Sequence, residues 1–220
     1  MHVRNRLIVT VSVILIAAVA TVLFVLNRSG PEREALPATE AGEAGQLVRE
    51  NSRRLNTVPG SDVTFVEFLD FECEGCRAMY PAIEQLRSEY GDRVNFVIRY
   101  FPLSGHFNGE RAARAVEAAA QQDQLEAMYS TMFETQGQWG EQRVPADATF
   151  RRFAVDLGLD MAAFDAAYDD PATVDRIRLD MADGRALGVT GTPTLFVNGE
   201  RLSPRSYEDL TSALDARLEK

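Results

Sequence analysis

Cysteine is scarce in this chain: Cys73 and Cys76 are the only two among 220 residues. One pair cannot form a structural disulfide framework. Bridged to each other, the two would close so short a loop that the unfolded chain is barely constrained. Histidine is as rare, with only His2 and His106. Two thiols and two remote imidazoles fall short of a four-ligand structural zinc site, and no metal or other cofactor is expected. Basic charge is also in deficit. Lys and Arg number 23 against 33 Asp and Glu, a net charge of −10. With a pI near 4.8 and no basic stripe, nucleic acid is excluded as an expected partner. Acidity also argues against broad docking onto anionic lipid. No internal repeat is visible.

Charge is missing altogether from Leu7 to Leu26, a run of 20 residues. At helical rise this spans roughly 30 Å, the thickness of a hydrocarbon core. Arg4 and Arg6 precede it, and mostly acidic charge follows it. The positive-inside rule therefore puts residues 1–6 in the cytoplasm as a stub, 7–26 in the membrane and the rest outside. A cleavable signal peptide is the alternative, with Ala18-Val19-Ala20 as its cleavage site and a secreted product. Apolar residues continue through Val22 to Leu26, which favours a retained single-pass anchor. No cysteine follows the run, so a lipoprotein anchor is excluded. Both readings export the main domain. Residues 27–60 read as a linker and N-terminal extension, punctuated by Gly30, Pro31, Pro37, Gly42 and Gly45. Leu47 to Leu55 carries a weak signal for a short strand or a turn of helix.

The chemistry is concentrated where the few cysteines are. Cys73-Glu74-Gly75-Cys76 follows a strand-like run, Val63 to Leu69, and opens a helix-like run, Glu74 to Tyr90. Ile83, Leu86 and Tyr90 give that helix its apolar face, Pro81 should kink it, and Gly91 should end it. Two thiols three positions apart at a strand-to-helix junction can close and reopen a disulfide. An inert clip and a metal site shared with other ligands are the competing readings. Val94 to Tyr100 reads as a second strand, completing a βαβ unit.

From Pro102 to about Leu187 the pattern is helical. One helix carries Ala112 to Ala120, and another carries Leu125, Met128, Tyr129, Met132 and Phe133. A third carries Phe150 to Leu157 and stops at Gly158, and the last carries Val174, Ile177 and Met181. Trp139 reads as sitting in a Gly-flanked loop, at the surface or as an inter-helix plug. Strand character returns at Thr194 to Val197. Asn198-Gly199 then signals a tight hairpin before Glu200 to Leu202. A closing helix buries Tyr207, Leu210, Leu214 and Leu218.

Phe68 to Cys76, the segment Gly191-Thr192-Pro193-Thr194 through Gly199, and the helical block between them carry a resemblance. In these features residues 62–218 resemble a thioredoxin-fold thiol–disulfide oxidoreductase of the DsbA-like type. The resemblance implies an α/β fold: a central mixed sheet with the CxxC at a helix N-terminus. Residues 61–104 and 188–220 form the thioredoxin part, and 105–187 form a helical insertion. It implies that Pro193 is the cis-proline beside the CxxC, and that Thr192 supplies a backbone contact to an extended substrate. It implies that Glu67 is the buried acid beneath the site, moving a proton to or from Cys76. Strand alternation places Glu67 with Val63, Phe65 and Leu69, consistent with burial. Cys73 is expected at the helix N-cap, exposed and attacking, with Cys76 one turn in, more buried and resolving.

The dipeptide departs from the family's pattern. DsbA-type oxidants commonly carry Pro-His between the cysteines; here it is Glu74-Gly75. Asp70, Glu72 and Glu74 lie close in sequence to Cys73 and should disfavour its thiolate unless Arg77 offsets them. A weaker oxidant than the strongest family members is therefore expected. His106 reads as a structural hydrogen-bonder. The expected partners are thiols and disulfides of exported proteins, with a quinone-linked membrane oxidase as the reoxidant. A reductase or isomerase in the same compartment is the alternative, as is a non-catalytic anchored binding or holding module.

Overall fold

The computed structural model describes residues 45–219. The apolar run 7–26, the stub before it and most of the linker lie outside the described residues. Among the described residues no helix is long and apolar enough to cross a membrane.

A five-stranded mixed sheet forms the centre. Its strands are β1 (Arg53–Arg54), β2 (Thr64–Leu69), β3 (Asn95–Tyr100), β4 (Thr194–Val197) and β5 (Glu200–Leu202), in the order β1-β3-β2-β4-β5. β2 and β3 run parallel, and the other neighbours are antiparallel. The parallel pair needs a crossover, supplied by α1 (Glu74–Tyr90). Between β3 and β4 lie α2 (Gly109–Ala120), α3 (Leu125–Trp139), α4 (Asp147–Asp156), α5 (Met161–Asp169) and α6 (Pro171–Ala186); α7 (Tyr207–Leu218) closes the chain. This is a thioredoxin-fold sheet with a helical insertion.

β2 is central and buried on both faces, so its sequence is nearly continuous in apolar residues. Phe65 and Leu69 pack with Ile83 and Leu86 of α1, while Val66 and Phe68 join Val97, Phe101, Val189 and Phe196 on the opposite face. Each fully buried aromatic of this kind contributes about 2–3 kcal/mol. The β4–β5 hairpin turns on Asn198 and Gly199, both at positive φ (45° and 88°), as a tight two-residue turn requires.

Two local expectations are corrected. The helical block holds five helices rather than four. The additional one, α5, is capped by the Asp160 side chain, which accepts from the Ala163 amide. Trp139 is not in a loop: it is the last residue of α3, only 2% exposed, and its ring meets Phe150 edge-on at 4.8 Å. It is an inter-helix plug and not a surface residue. The weak strand signal within Leu47 to Leu55 is realised: Arg53–Arg54 pairs with Val97 and Ile98 as an edge strand.

Candidate functional site

Cys73 is the N-cap of α1, with extended backbone angles, and Cys76 lies in the first turn. Both are free thiols in the structure. The turn between β2 and α1 is held from several directions. The Cys73 amide donates to the Asp70 carbonyl at 3.1 Å, and the Cys73 carbonyl accepts from the Arg77 amide at 3.1 Å. Gln136, a buried residue of α3, donates from Nε2 to the carbonyls of Phe71 (2.7 Å) and Cys73 (3.0 Å).

The two sulfurs differ as their positions dictate. Cys76 is fully buried, and burial pushes its thiol far above the ordinary range. It therefore remains a thiol and donates a hydrogen bond to Cys73. That bond is the largest influence lowering the Cys73 thiol to about 5; burial works against it. The Thr192 side chain and the backbone N–H groups of Gly75 and Cys76 add to the lowering. These amides are the open N–H groups of a helix start. Cys73 is 8% exposed, less open than the sequence suggested, but it is the more accessible of the two.

The cis-proline loop closes over this sulfur. The Thr192–Pro193 peptide bond is cis. In its thiol form Cys73 donates from Sγ to the Thr192 carbonyl at 3.3 Å. The Thr192 hydroxyl is buried and has no other hydrogen-bond partner. Gly75 fits beneath this loop because it has no side chain. A Cβ there would stand 3.3 Å from Pro193 Cδ and 3.5 Å from Cys73 Sγ.

Glu67 lies on β2 between Ile98 of β3 and Leu195 of β4, and is 2% exposed. Burial first, then the charges of Glu84 and Cys73, push its carboxyl up to about 8. Its charge in turn raises the thiol of Cys76. Glu67, Cys73, Cys76, Thr192 and Pro193 are thus brought together, although 126 positions separate the first from the last.

The like-charge argument from the sequence is corrected. Asp70, Glu72 and Glu74 do not hold the Cys73 thiol up. Asp70 is fully buried and accepts the Glu72 amide at 2.9 Å, the Leu103 amide at 2.8 Å and His106 Nδ1 at 2.6 Å. Glu72 is committed to the amides of Asn108 (2.5 Å) and Glu141 (3.1 Å). Glu74 is exposed on the first turn of α1. Sequence spacing counted these charges; the fold has given two of them other partners. Gln136 and the Asp70–His106 bond went unrecognised, since both join segments far apart in the chain. Among the described residues no group of three His, Cys, Asp or Glu side chains converges to hold a metal ion.

Known proteins share this architecture. A thioredoxin-like oxidoreductase from Silicibacter pomeroyi superposes with a TM-score of 0.66 at 27% identity, covering 82% of this chain and 99% of that one. The α-DsbA1 of Wolbachia pipientis gives 0.70 at 19% identity, over 79% of this chain and 94% of that one. Oxidised BdbD from Bacillus subtilis gives 0.70 at 20% identity, over 80% and 98%. Among curated proteins, the chain is 35% identical over 158 residues to a Na(+)/H(+) antiporter NhaA of Herminiimonas arsenicoxydans, covering 71% of this chain and 24% of that protein. An NhaA 3 of Salinispora tropica is 36% identical over 154 residues, covering 69% and 22%. The chain thus spans about a quarter of the length of the curated relatives it matches. Residues 58–216 match the family described as Thioredoxin, and the chain belongs to that family.

Proposed function

We propose that this protein is a thiol–disulfide oxidoreductase that oxidises cysteine pairs of exported proteins, held outside the cytoplasm by the apolar segment 7–26. The observation that carries the reading is the asymmetry of the two sulfurs. Cys73 is a low-pKa thiol at a helix start, and Cys76 is a buried thiol hydrogen-bonded to it. Such a pair supplies one attacking or leaving thiolate and one resolving thiol.

The exchange balances as follows. A substrate thiolate attacks Cys73 Sγ of the Cys73–Cys76 disulfide. The Cys73–Cys76 bond breaks, a mixed disulfide forms, and Cys76 leaves and takes a proton, for which Glu67 is the nearby carboxyl. The second substrate thiolate then attacks the substrate sulfur of the mixed disulfide, and Cys73 leaves as the thiolate. Two electrons have moved from substrate to protein. A quinone-linked membrane oxidase would remove them and restore the disulfide. The Thr192 carbonyl, freed from Cys73, would pair with the substrate backbone.

Two variants and one equilibrium test this. Cys76→Ser should accumulate mixed disulfides with a model disulfide peptide, since no thiol remains to resolve them, whereas Cys73→Ser should trap none and reduce none. A Cys73→Ser protein that still reduces the peptide at the wild-type rate would defeat the reading. Equilibration with glutathione then fixes direction. A potential near the roughly −270 mV of a reducing thioredoxin would point to a reductase in place of an oxidant.

A further inference from the structure

We propose that His106 is a positioning residue of the exchange reaction: bound to Asp70 as the imidazolium, it cancels the buried Asp70 charge and so keeps the Cys73 thiolate stable. The inference rests on the thiol-exchange reading above and adds to it the group that sets the stability of the reduced form.

The geometry begins with Asp70, which is 1% exposed and sits at the end of β2, three residues before Cys73. Its carbonyl accepts the Cys73 amide, so it belongs to the same turn as the reactive sulfur. An ionised carboxylate buried there would oppose a thiolate on Cys73. Three donors meet it: the amides of Glu72 and Leu103, which carry no net charge, and His106 Nδ1 at 2.6 Å. Only the imidazole can supply a full counter-charge. The loop between β3 and α2 exists in this position because Asp70 holds both Leu103 and His106 of it.

The surroundings favour the charged ring. The hydrogen bond to Asp70 is the main cause raising His106 to about 9, burial works against it, and the charges of Asp70, Cys73 and Glu72 add to the rise. The ring also borders a cavity of about 560 Å³ whose other charged lining groups are Glu110 of α2 and Arg185 of α6. Asp70, Glu72 and Cys73 on one side and Glu110 and Arg185 on the other are thus the charges facing it. Between about pH 5 and pH 9, Cys73 is the thiolate and His106 the imidazolium.

Reciprocity gives a test in the native protein. If the imidazolium stabilises the thiolate, the thiolate must raise the imidazole titration by the same free energy. The chain has only two histidines, and loss of one set of signals in His106→Gln assigns His106. Its NMR titration midpoint should be higher in the reduced protein than in Cys73→Ser, by about half a unit to one unit for neighbouring charges. In His106→Gln, whose amide still donates to Asp70 but carries no charge, the Cys73 thiolate absorbance should titrate higher by a similar amount. The glutathione equilibrium should move toward a weaker oxidant by roughly threefold to tenfold. His106→Arg, which restores the charge, should recover most of the shift, whereas a purely structural role would leave Gln and Arg alike. Identical His106 midpoints with and without the thiol overturn the proposal, as does an unshifted Cys73 titration in His106→Gln. Failure of the exchange reading would look different: Cys76→Ser would trap no mixed disulfide, whatever stands at position 106.

Discussion

Glu67 concentrates the physics of the site in one side chain. Its burial in the central strand raises its carboxyl to about 8, so ionising it in the folded protein is costly. The sign follows from linkage. With the folded value above the unfolded one, stability is full below the ordinary glutamate range and is lost as pH rises through about 8. Glu67→Gln removes that loss. The variant should match the wild type near pH 4 and exceed it by about 2–4 kcal/mol near pH 8, read from urea denaturation at both values. On the proposed mechanism the same substitution removes the carboxyl that would exchange a proton with Cys76. Release of a trapped mixed disulfide should therefore slow by roughly tenfold or more in single-turnover quench experiments. A Gln variant no more stable at high pH would mean that Glu67 is not held neutral by burial. Alternation along Val63, Phe65, Glu67 and Leu69 made the burial legible in the sequence. The assignment of Asp70 to His106 was not legible, because no periodicity links positions 70 and 106.

Elements with a strong repeating pattern were readable. The central strands, α1 and the Asn-Gly hairpin all follow from alternation, helical spacing or turn chemistry. Those governed by few residues were not. β1 gave only a weak signal across Leu47 to Leu55, shared between strand and helical turn, because two residues are too few to show a period; it forms because β3 offers it an open edge. α5 has nine residues, and its evidence lay in caps: Asp160 before it, and Asp170-Pro171 opening the next helix. Trp139 was misplaced because Gly137 and Gly140 flank it, although α3 runs through the first of these and ends before the second. The most consequential link between elements is Gln136, which connects the insertion to the cysteine-bearing turn. It fills two carbonyls, but the one on Cys73 also has the Arg77 amide. Gln136→Leu therefore strands chiefly the Phe71 carbonyl, at a cost of about 1–3 kcal/mol. The variant should unfold at lower denaturant. Its Cys73 thiolate titration should broaden or shift as the turn loosens. An unaltered denaturation midpoint would show that the insertion does not brace the site.

At the scale of the molecule, a buried ionic network joins the chain's earliest described segment to the core. Arg99 on β3 is fully buried. It donates to Asp180 at 2.6 Å and Asp183 at 2.5 Å on α6, and to the carbonyls of Gln46 and Leu47. Asp183 also receives Arg49 Nε at 2.6 Å and the Gln46 amide at 3.1 Å. Residues 46–49 are thus fastened to the face of the sheet opposite the cysteine-bearing helix. Burial alone would raise the Asp183 carboxyl, but the bonds from Arg49, Arg99 and the Gln46 amide outweigh it and hold it near 2. With the folded value below the unfolded one, the stabilisation is present above the ordinary aspartate range and is lost as pH falls through about 2. Asp183→Asn keeps the shape but strips Arg99 of one counter-charge, and breaking one side of a buried network costs about 3 kcal/mol. The variant should therefore unfold earlier than the wild type at pH 7, and the gap should narrow as both are taken below pH 3.8 toward 2. Trypsin should cut after Arg49 or Arg53 faster in the variant, because the edge strand and the segment before it open together. A stability gap that persists unchanged at pH 2 would show that the aspartate acts through packing and not through its charge.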